Sequence, residues 1–290
     1  MSTNIHRSFL PYAGSRNEYL LQQTLKVFPK NLSTSPIDYS EMFAGALNVY
    51  ANVPLPKANS VLLNDINLRA INCFDCAMKF PDELLIRIKY YLQKSNKNAD
   101  RYNEIRREFN LSGWTGIENA ARYIYILMNC FNHSERISKG QNNRGIPRFN
   151  NSFSSRTLNY EFREDEYWYL VNKMNNEHVQ FYCMDYKDFI PYIPNKSFSY
   201  CDSPFQYEGT YSLRWAETFK DEHVELRKHI EEMKRRGITI VMSNFDNPLV
   251  RMTYGLTGKN PIGKVLASFP SYSSSRRINR SSKYELIGMY

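Results

Sequence analysis

Short apolar runs recur along this chain, and most of them stop at an acid or an amide. One starts near Ile37 and closes over Ser40–Gly45; others are Ser60–Asp65, Val179–Asp185, Phe198–Asp202 and Ile238–Asn244. Their hydrophobicity is nearly continuous rather than alternating, which is the pattern of parallel strands buried on both faces. Lys264–Phe269 and Lys283–Tyr290 read as a closing antiparallel pair, and Asp221–Arg236 has the spacing of a connecting helix. Ala44-Gly45-Ala46 reads as a tight turn into helix. Strands alternating with helices imply an α/β fold with a mostly parallel sheet covered on both sides. In such sheets ligands bind beyond the carboxyl ends of the strands, where the polar residues fall here.

Between Asp65 and Val179 the pattern changes. Leu68–Ser95 and Ala120–Phe131 are helical in period, and Asn132–Asn151 reads as a polar, basic loop. The expected organisation is a core of 1–67 and 156–290 with a mostly helical insertion at 68–155. Ser271–Ser282, rich in Ser, Arg and Asn, reads as a mobile loop that orders on a partner.

Composition narrows this picture. Of 290 residues, 42% are hydrophobic and 14% aromatic, enough for a real core. No apolar run approaches the roughly 20 residues that span a bilayer, and no signal-peptide core opens the chain, so a cytoplasmic protein is expected. Five cysteines, an odd number, suit reduced thiols; Cys183 and Cys201 lie in strand-like runs and are expected in the core. Cys73-Phe-Asp-Cys76 has no second pair, and the histidines show no metal spacing, so no metal is expected. Net charge is +9, with one basic cluster at Arg136, Lys139, Arg144 and Arg148 and another at Arg276, Arg277, Arg280 and Lys283. Both suit a polyanion, and both equally suit a solvated basic face. Lys234-Arg235-Arg236 has the blander role of cations at a helix C-terminus.

The chemistry concentrates in Phe198–Tyr207, where the run ends at Asp202-Ser203-Pro204-Phe205. An acid that accepts hydrogen bonds, a proline that stiffens the turn and an aromatic face suit a planar amine, although acid-Ser-Pro turns are also common in ordinary loops.

The order of motifs adds more. Pro11-Tyr12-Ala13-Gly14-Ser15-Arg16 is followed by Glu41-Met42-Phe43-Ala44-Gly45-Ala46, Leu63-Asn64-Asp65-Ile66-Asn67, Met184-Asp185-Tyr186, Asp202-Ser203-Pro204-Phe205 and Met242-Ser243-Asn244. The series resembles the Dam-like DNA adenine-N6 methyltransferases of bacteria and phages over nearly the whole chain. Arg16 replaces the family's usual lysine, Ala46 a common glycine, and Ser203 the first proline of its Asp-Pro-Pro-Tyr turn. Ser134–Gly140 resembles the start of its basic hairpin. Where the family continues with Pro-Phe-Gly-Arg/Lys, this chain has Arg144-Gly145-Ile146-Pro147-Arg148, so a GATC target is not carried over.

The resemblance implies a Rossmann-like S-adenosylmethionine-dependent methyltransferase sheet with a mostly helical target-recognition insertion. It implies S-adenosylmethionine held by Tyr12, Gly14, Arg16, Phe43, Ala44, Gly45, Asp65, Ile66, Asp185, Tyr186 and Asp202. Asp65 would take the ribose hydroxyls, though an Asn-Asp turn or helix cap also explains an acid there. Asp202, Ser203, Pro204 and Phe205 would hold a flipped adenine. Arg136, Lys139, Arg144, Arg148, Arg276 and Arg277 would contact DNA. Expected partners are double-stranded DNA, with no membrane and no metal, and a separately encoded restriction endonuclease is left open. A monomer or weak dimer is expected. Two alternatives stay open: a catalytically weak or inactive DNA-binding relative, and a methyltransferase acting on RNA or protein.

Overall fold

The computed structural model describes residues 5–12, 18–141, 147–157, 160–205, 219–270 and 284–290, excluding the side chains at 138–141, 147 and 220. Among these residues the strands are β1 (Tyr39–Glu41), β2 (Val61–Asn64), β3 (Ile137–Gln141), β4 (Pro147–Phe149), β5 (Val179–Tyr182), β6 (Phe198–Cys201), β7 (Thr239–Phe245), β8 (Lys264–Pro270) and β9 (Tyr284–Met289). The helices are α1 (Glu18–Lys26), α2 (Leu68–Lys79), α3 (Pro81–Tyr91), α4 (Ala99–Ser112), α5 (Ile117–Asn129), α6 (Glu164–Asn176), α7 (Tyr186–Phe189), α8 (His223–Arg235) and α9 (Pro248–Thr253). The chain packs as two compact units, one of Met1–Arg16, Gly45–Asn52 and Asp65–Asn176, the other of Asn17–Ala44, Val53–Asn64 and Glu177–Tyr290.

The second unit holds a seven-stranded sheet in the order β5-β2-β1-β6-β7-β9-β8. The first five strands are parallel, and β9 runs antiparallel to both β7 and β8. Every residue of β1, β2 and β6 is buried, as expected of strands covered on both faces. The chain builds outward from β1 through β2 to β5, then returns to place β6 on the other side of β1. That reversal is a topological switch point, where α/β sheets bind ligands. Below it, Leu226, Ile230 and Met233 of α8 join Met42, Cys201, Ile240, Met242 and Val250 in one core cluster. Their i, i+4, i+7 spacing gives α8 its apolar face. Gly237 ends the helix at φ +74°, a left-handed position that costs glycine least.

The first unit is mainly helical. The Asn67 side chain accepts from the Arg69 N–H and caps α2; Pro81 opens α3 and so breaks the expected 68–95 run in two. Helix α5 is buried from Asn119 to Asn129 save for Arg122, which makes it the centre of this unit. Helices α4 and α6 carry weaker apolar patterns and were not expected.

Three expectations are corrected. Asn132–Asn151 is not simply a loop: β3 and β4 pair antiparallel, Ile137 opposite Phe149, and the Asn151 amide donates to the Phe131 and Ser134 carbonyls. A hairpin with so few apolar residues shows no alternation in the sequence. The turn at Gly45 does not enter a helix directly, because Leu47 is also left-handed at φ 58° and only a 3-10 turn follows at Tyr50–Asn52. Cys183 is exposed rather than in the core, since β5 ends one residue before it. Among the described residues no helix is long and apolar enough to cross a membrane. The expected mobile loop at 271–282 lies outside the described residues.

Candidate active site

In the second unit, three strand ends are stitched together at the switch point. Asn64, the last residue of β2, is buried; its amide donates to the Met42 carbonyl at 3.0 Å and the Met184 carbonyl at 3.1 Å, and its Oδ1 accepts from Met184 N–H. One side chain thereby fixes the exits of β1 and β5. The Ala44 N–H donates to the Asn64 carbonyl at 2.8 Å.

Asp202 follows β6 directly. Its Oδ1 accepts from Ser243 Oγ at 2.7 Å, and Ser243 lies 3.0 Å from the Tyr200 hydroxyl. Strand register explains the meeting: Cys201 pairs with Met242, so the next residues on each strand, Asp202 and Ser243, face one another. The carboxylate is therefore held in orientation from behind. Ser203 is fully buried, while Pro204 and Phe205 are half-buried. The Phe205 ring packs edge-on against Phe245, with centroids 4.9 Å apart at 80°.

Asp185 accepts from the Lys187 N–H at 2.9 Å and caps the single turn of α7. Tyr186 is buried between Phe43 and Phe219, and its hydroxyl donates to Glu222 at 3.1 Å. Burial first, then the Glu222 carboxylate, push its phenol pKa far up.

In the first unit, Asp65 is used by the backbone. Its Oδ2 accepts from Gly45 N–H and its Oδ1 from Asn67 N–H, both at 2.8 Å. Burial raises its carboxyl pKa, and these two bonds oppose the rise. A carboxylate offers about four acceptor sites, so half remain for another donor. Gly45 is left-handed at φ +51°, and nothing lies within 4 Å of where a Cβ would stand. Beside Asp65, the Ile66 side chain is 72% exposed, unusual for isoleucine.

Asn67 joins three motifs within this unit. Its amide donates to Glu135 Oε2 at 2.7 Å and also reaches the hydroxyls of Tyr12 at 3.0 Å and Tyr123 at 3.3 Å. Glu135 is ion-paired with Arg69, whose guanidinium lies 4.1 Å from the centroid of Trp114. Arg136 and Arg148 are exposed beside and on the β3–β4 hairpin. Lys139 falls within β3, its side chain undescribed. Gly14, Arg16, Arg144, Arg276 and Arg277 lie outside the described residues.

Sequence reasoning missed the supports: Ser243 behind Asp202, Arg69 with Glu135, and a buried His223–Tyr254 pair joined at 2.6 Å. Only Ser243 left a signal, as the middle residue of the Met242-Ser243-Asn244 motif that closes its apolar run.

The profile of the D12 class N6 adenine-specific DNA methyltransferases matches residues 12–258. The chain belongs to this family. Among its relatives, the Retron Ec67 DNA adenine methylase of Escherichia coli is 28% identical over 85% of this chain and 80% of its own length. The DNA adenine methylase of Vibrio cholerae is 25% identical over 93% of this chain and 98% of its own. The type II methyltransferase M1.LlaDCHI of Lactococcus lactis subsp. cremoris is 23% identical over 86% and 84%. The protein is thus an adenine-N6 DNA methyltransferase on a Rossmann-like α/β sheet, with DNA as its substrate and a methyl donor of the S-adenosylmethionine type.

Proposed function

We propose that this methyltransferase takes its methyl group from S-adenosylmethionine and delivers it to an adenine extruded from duplex DNA, held by the Asp202–Phe205 turn. The observation carrying this reading is the Asp202 carboxylate fixed by Ser243, with Tyr200 behind it, at the switch point of the sheet.

The residues present fit the cofactor. Gly45 leaves open space where a side chain would stand, Asp65 keeps acceptor capacity, and Ile66 offers an exposed apolar surface. Tyr12, Phe43, Ala44, Asp185 and Tyr186 complete the described part of the proposed set, with Gly14 and Arg16 from the rest of the chain. Bound there, the cofactor supplies a methyl group made electrophilic by its sulfonium.

An adenine amine is a poor nucleophile because its lone pair is delocalised into the ring. Asp202 accepts one N–H and the Ser203 backbone carbonyl accepts the other, which draws the nitrogen toward tetrahedral geometry and aims its lone pair. Phe205 stacks on the base, and its phenyl ring suffices because stacking needs no hydroxyl. After transfer the nitrogen sheds a proton, for which the Asp202 carboxylate is the adjacent acceptor.

Residues 1–67 and 156–290 form the proposed catalytic core and 68–155 the target-recognition insertion. Arg136 and Arg148 contact phosphate or guanine, with Lys139, Arg144, Arg276 and Arg277 in the same role. The type II name of the Lactococcus relative supports a restriction-modification setting, and a DNA substrate supports action in the cytoplasm of a bacterial or phage-infected cell.

The test is transfer of tritium-labelled methyl from S-adenosylmethionine to duplex DNA, read as N6-methyladenine. Asp202→Ala should abolish transfer and leave salt-sensitive DNA binding intact. Label appearing in RNA or protein instead, or wild-type transfer by Asp202→Ala, would overturn the proposal.

A further inference from the structure

Strand β6 ends at Cys201, whereas its neighbour β7 runs on past the pairing of Cys201 with Met242 through Ser243, Asn244 and Phe245. This overhang is held from its other side. Ser243, Asn244 and Phe245 pair with Ile287, Leu286 and Glu285 of β9. The Asp246 N–H donates to the Tyr284 carbonyl at 2.7 Å, so the bonding continues beyond Phe245. The turn Asp202–Phe205 therefore leaves the sheet alongside a strand that stays hydrogen-bonded.

Side chains alternate along a strand, so Ser243 and Phe245 stand on one face of the overhang and Asn244 on the other. Both meet the turn. Ser243 Oγ donates to Asp202 Oδ1 at 2.7 Å, and the Phe245 ring meets the Phe205 ring with centroids 4.9 Å apart at 80°. The first contact orients the carboxylate. Phe205 is half-buried and has no hydroxyl that a hydrogen bond could fix, so the plane of its ring is set by packing. An edge-to-face pair supplies that direction, because the ring quadrupoles favour the perpendicular arrangement and rotation of either ring loses it. An aliphatic neighbour would fill the same space without choosing an orientation, since apolar burial is non-directional.

We propose that Phe245 is a positioning residue that locks the Phe205 ring in the plane that stacks on the target adenine. One face of β7 then sets both functional groups of the turn, the carboxylate through Ser243 and the ring through Phe245. The amine must aim its lone pair along the line of methyl transfer, and a base free to rock against its stacking ring loses that aim. The inference rests on the reading of Asp202–Phe205 as the target-adenine site.

The experiment is a double-mutant cycle of Phe205→Leu, Phe245→Leu and the pair, on a duplex carrying a site at which sequencing finds N6-methyladenine. Phe245→Leu keeps apolar bulk and removes the ring–ring geometry. It should lower kcat about fivefold, the rate equivalent of ~1 kcal/mol. KM for the methyl donor should stay within about twofold, since the contact orients the base and does not bind the cofactor. With 2-aminopurine in place of the target adenine, emission of the bound duplex should rise in Phe245→Leu, because stacking on an aromatic ring quenches it, and rise further in Phe205→Leu. In the Phe205→Leu background the second change should add nothing to either readout, and Phe245→Tyr should recover most of kcat; a merely structural residue would do neither. Additive effects in the double variant, unchanged emission in Phe245→Leu, or a loss confined to KM for the methyl donor would overturn the inference. If Phe245→Leu fails to fold, Phe245→Met carries the same cycle. Phe205→Leu separates the two levels: wild-type transfer and emission by it defeat the underlying reading, whereas impaired transfer with an additive cycle defeats only this inference.

Discussion

Replacing Arg69 with methionine removes the counter-ion of a buried carboxylate while keeping most of the side chain's bulk against Trp114. In the native unit Arg69 and Glu135 are ion-paired with side chains only 11% and 14% exposed. Glu135 would keep the Asn67 amide at 2.7 Å but lose its compensating charge. Removing one member of a buried pair typically costs 3–5 kcal/mol, and the retained hydrogen bond places the expected loss near ~3 kcal/mol at pH 7. Burial already raises the Glu135 pKa, with Arg69 the main opposing influence, so losing Arg69 raises it further. The sign then follows from linkage. A carboxyl whose folded pKa lies above its unfolded value adds stability below the unfolded pKa and loses it as pH rises through the folded one. The defect should therefore shrink between pH 7 and pH 5. Urea unfolding followed by tryptophan fluorescence at both pH values measures this. Arg69→Met combined with Glu135→Leu should recover most of the loss, because an apolar pair leaves no buried charge. A loss below about 1 kcal/mol, an equal defect at both pH values, or a double variant no more stable than the single one would refute the reasoning.

Ser243→Ala should lower kcat about tenfold at unchanged KM for the methyl donor, because the Asp202 carboxylate loses its 2.7 Å support; an unaltered kcat would show that Asp202 is oriented by other contacts. Asp65→Ala should cost about 2 kcal/mol, from two lost backbone bonds, and should abolish calorimetric binding of S-adenosylmethionine. Wild-type affinity in a destabilised Asp65→Ala protein would leave Asp65 only its turn-forming role. His223, with its pKa lowered to about 4 by burial, adds stability that is present above the unfolded histidine value and lost as pH falls through about 4. That contribution reaches about 3 kcal/mol, so His223→Gln should flatten the fall in unfolding free energy between pH 7 and pH 4, and matching slopes would count against it.

The sheet was legible because β2, β6 and β7 are continuous apolar runs, and a strand buried on both faces permits little else. Helix α8 was legible from the spacing of Leu226, Ile230 and Met233. The acids closing these runs could be placed at strand ends, and their order carried the family resemblance. Strand β1 shows the limit of such reasoning. Tyr39-Ser40-Glu41 reads as half polar, yet all three are buried because β2 and β6 flank them, and the Tyr39 hydroxyl donates to Glu41 at 2.7 Å. The β3–β4 hairpin likewise owes its form to pairing rather than to an apolar period.

What the sequence by itself determined was local: which segments must leave water, where they turn, and which acids stand at their ends. Which polar group supports which acid was decided by tertiary structure. Ser243 meets Asp202 through strand register across 41 positions, and Asn67 meets Glu135 through packing across 68. Apolar burial is written residue by residue in the chain. A hydrogen bond between distant side chains depends on how separate elements pair and pack, and no local pattern encodes that.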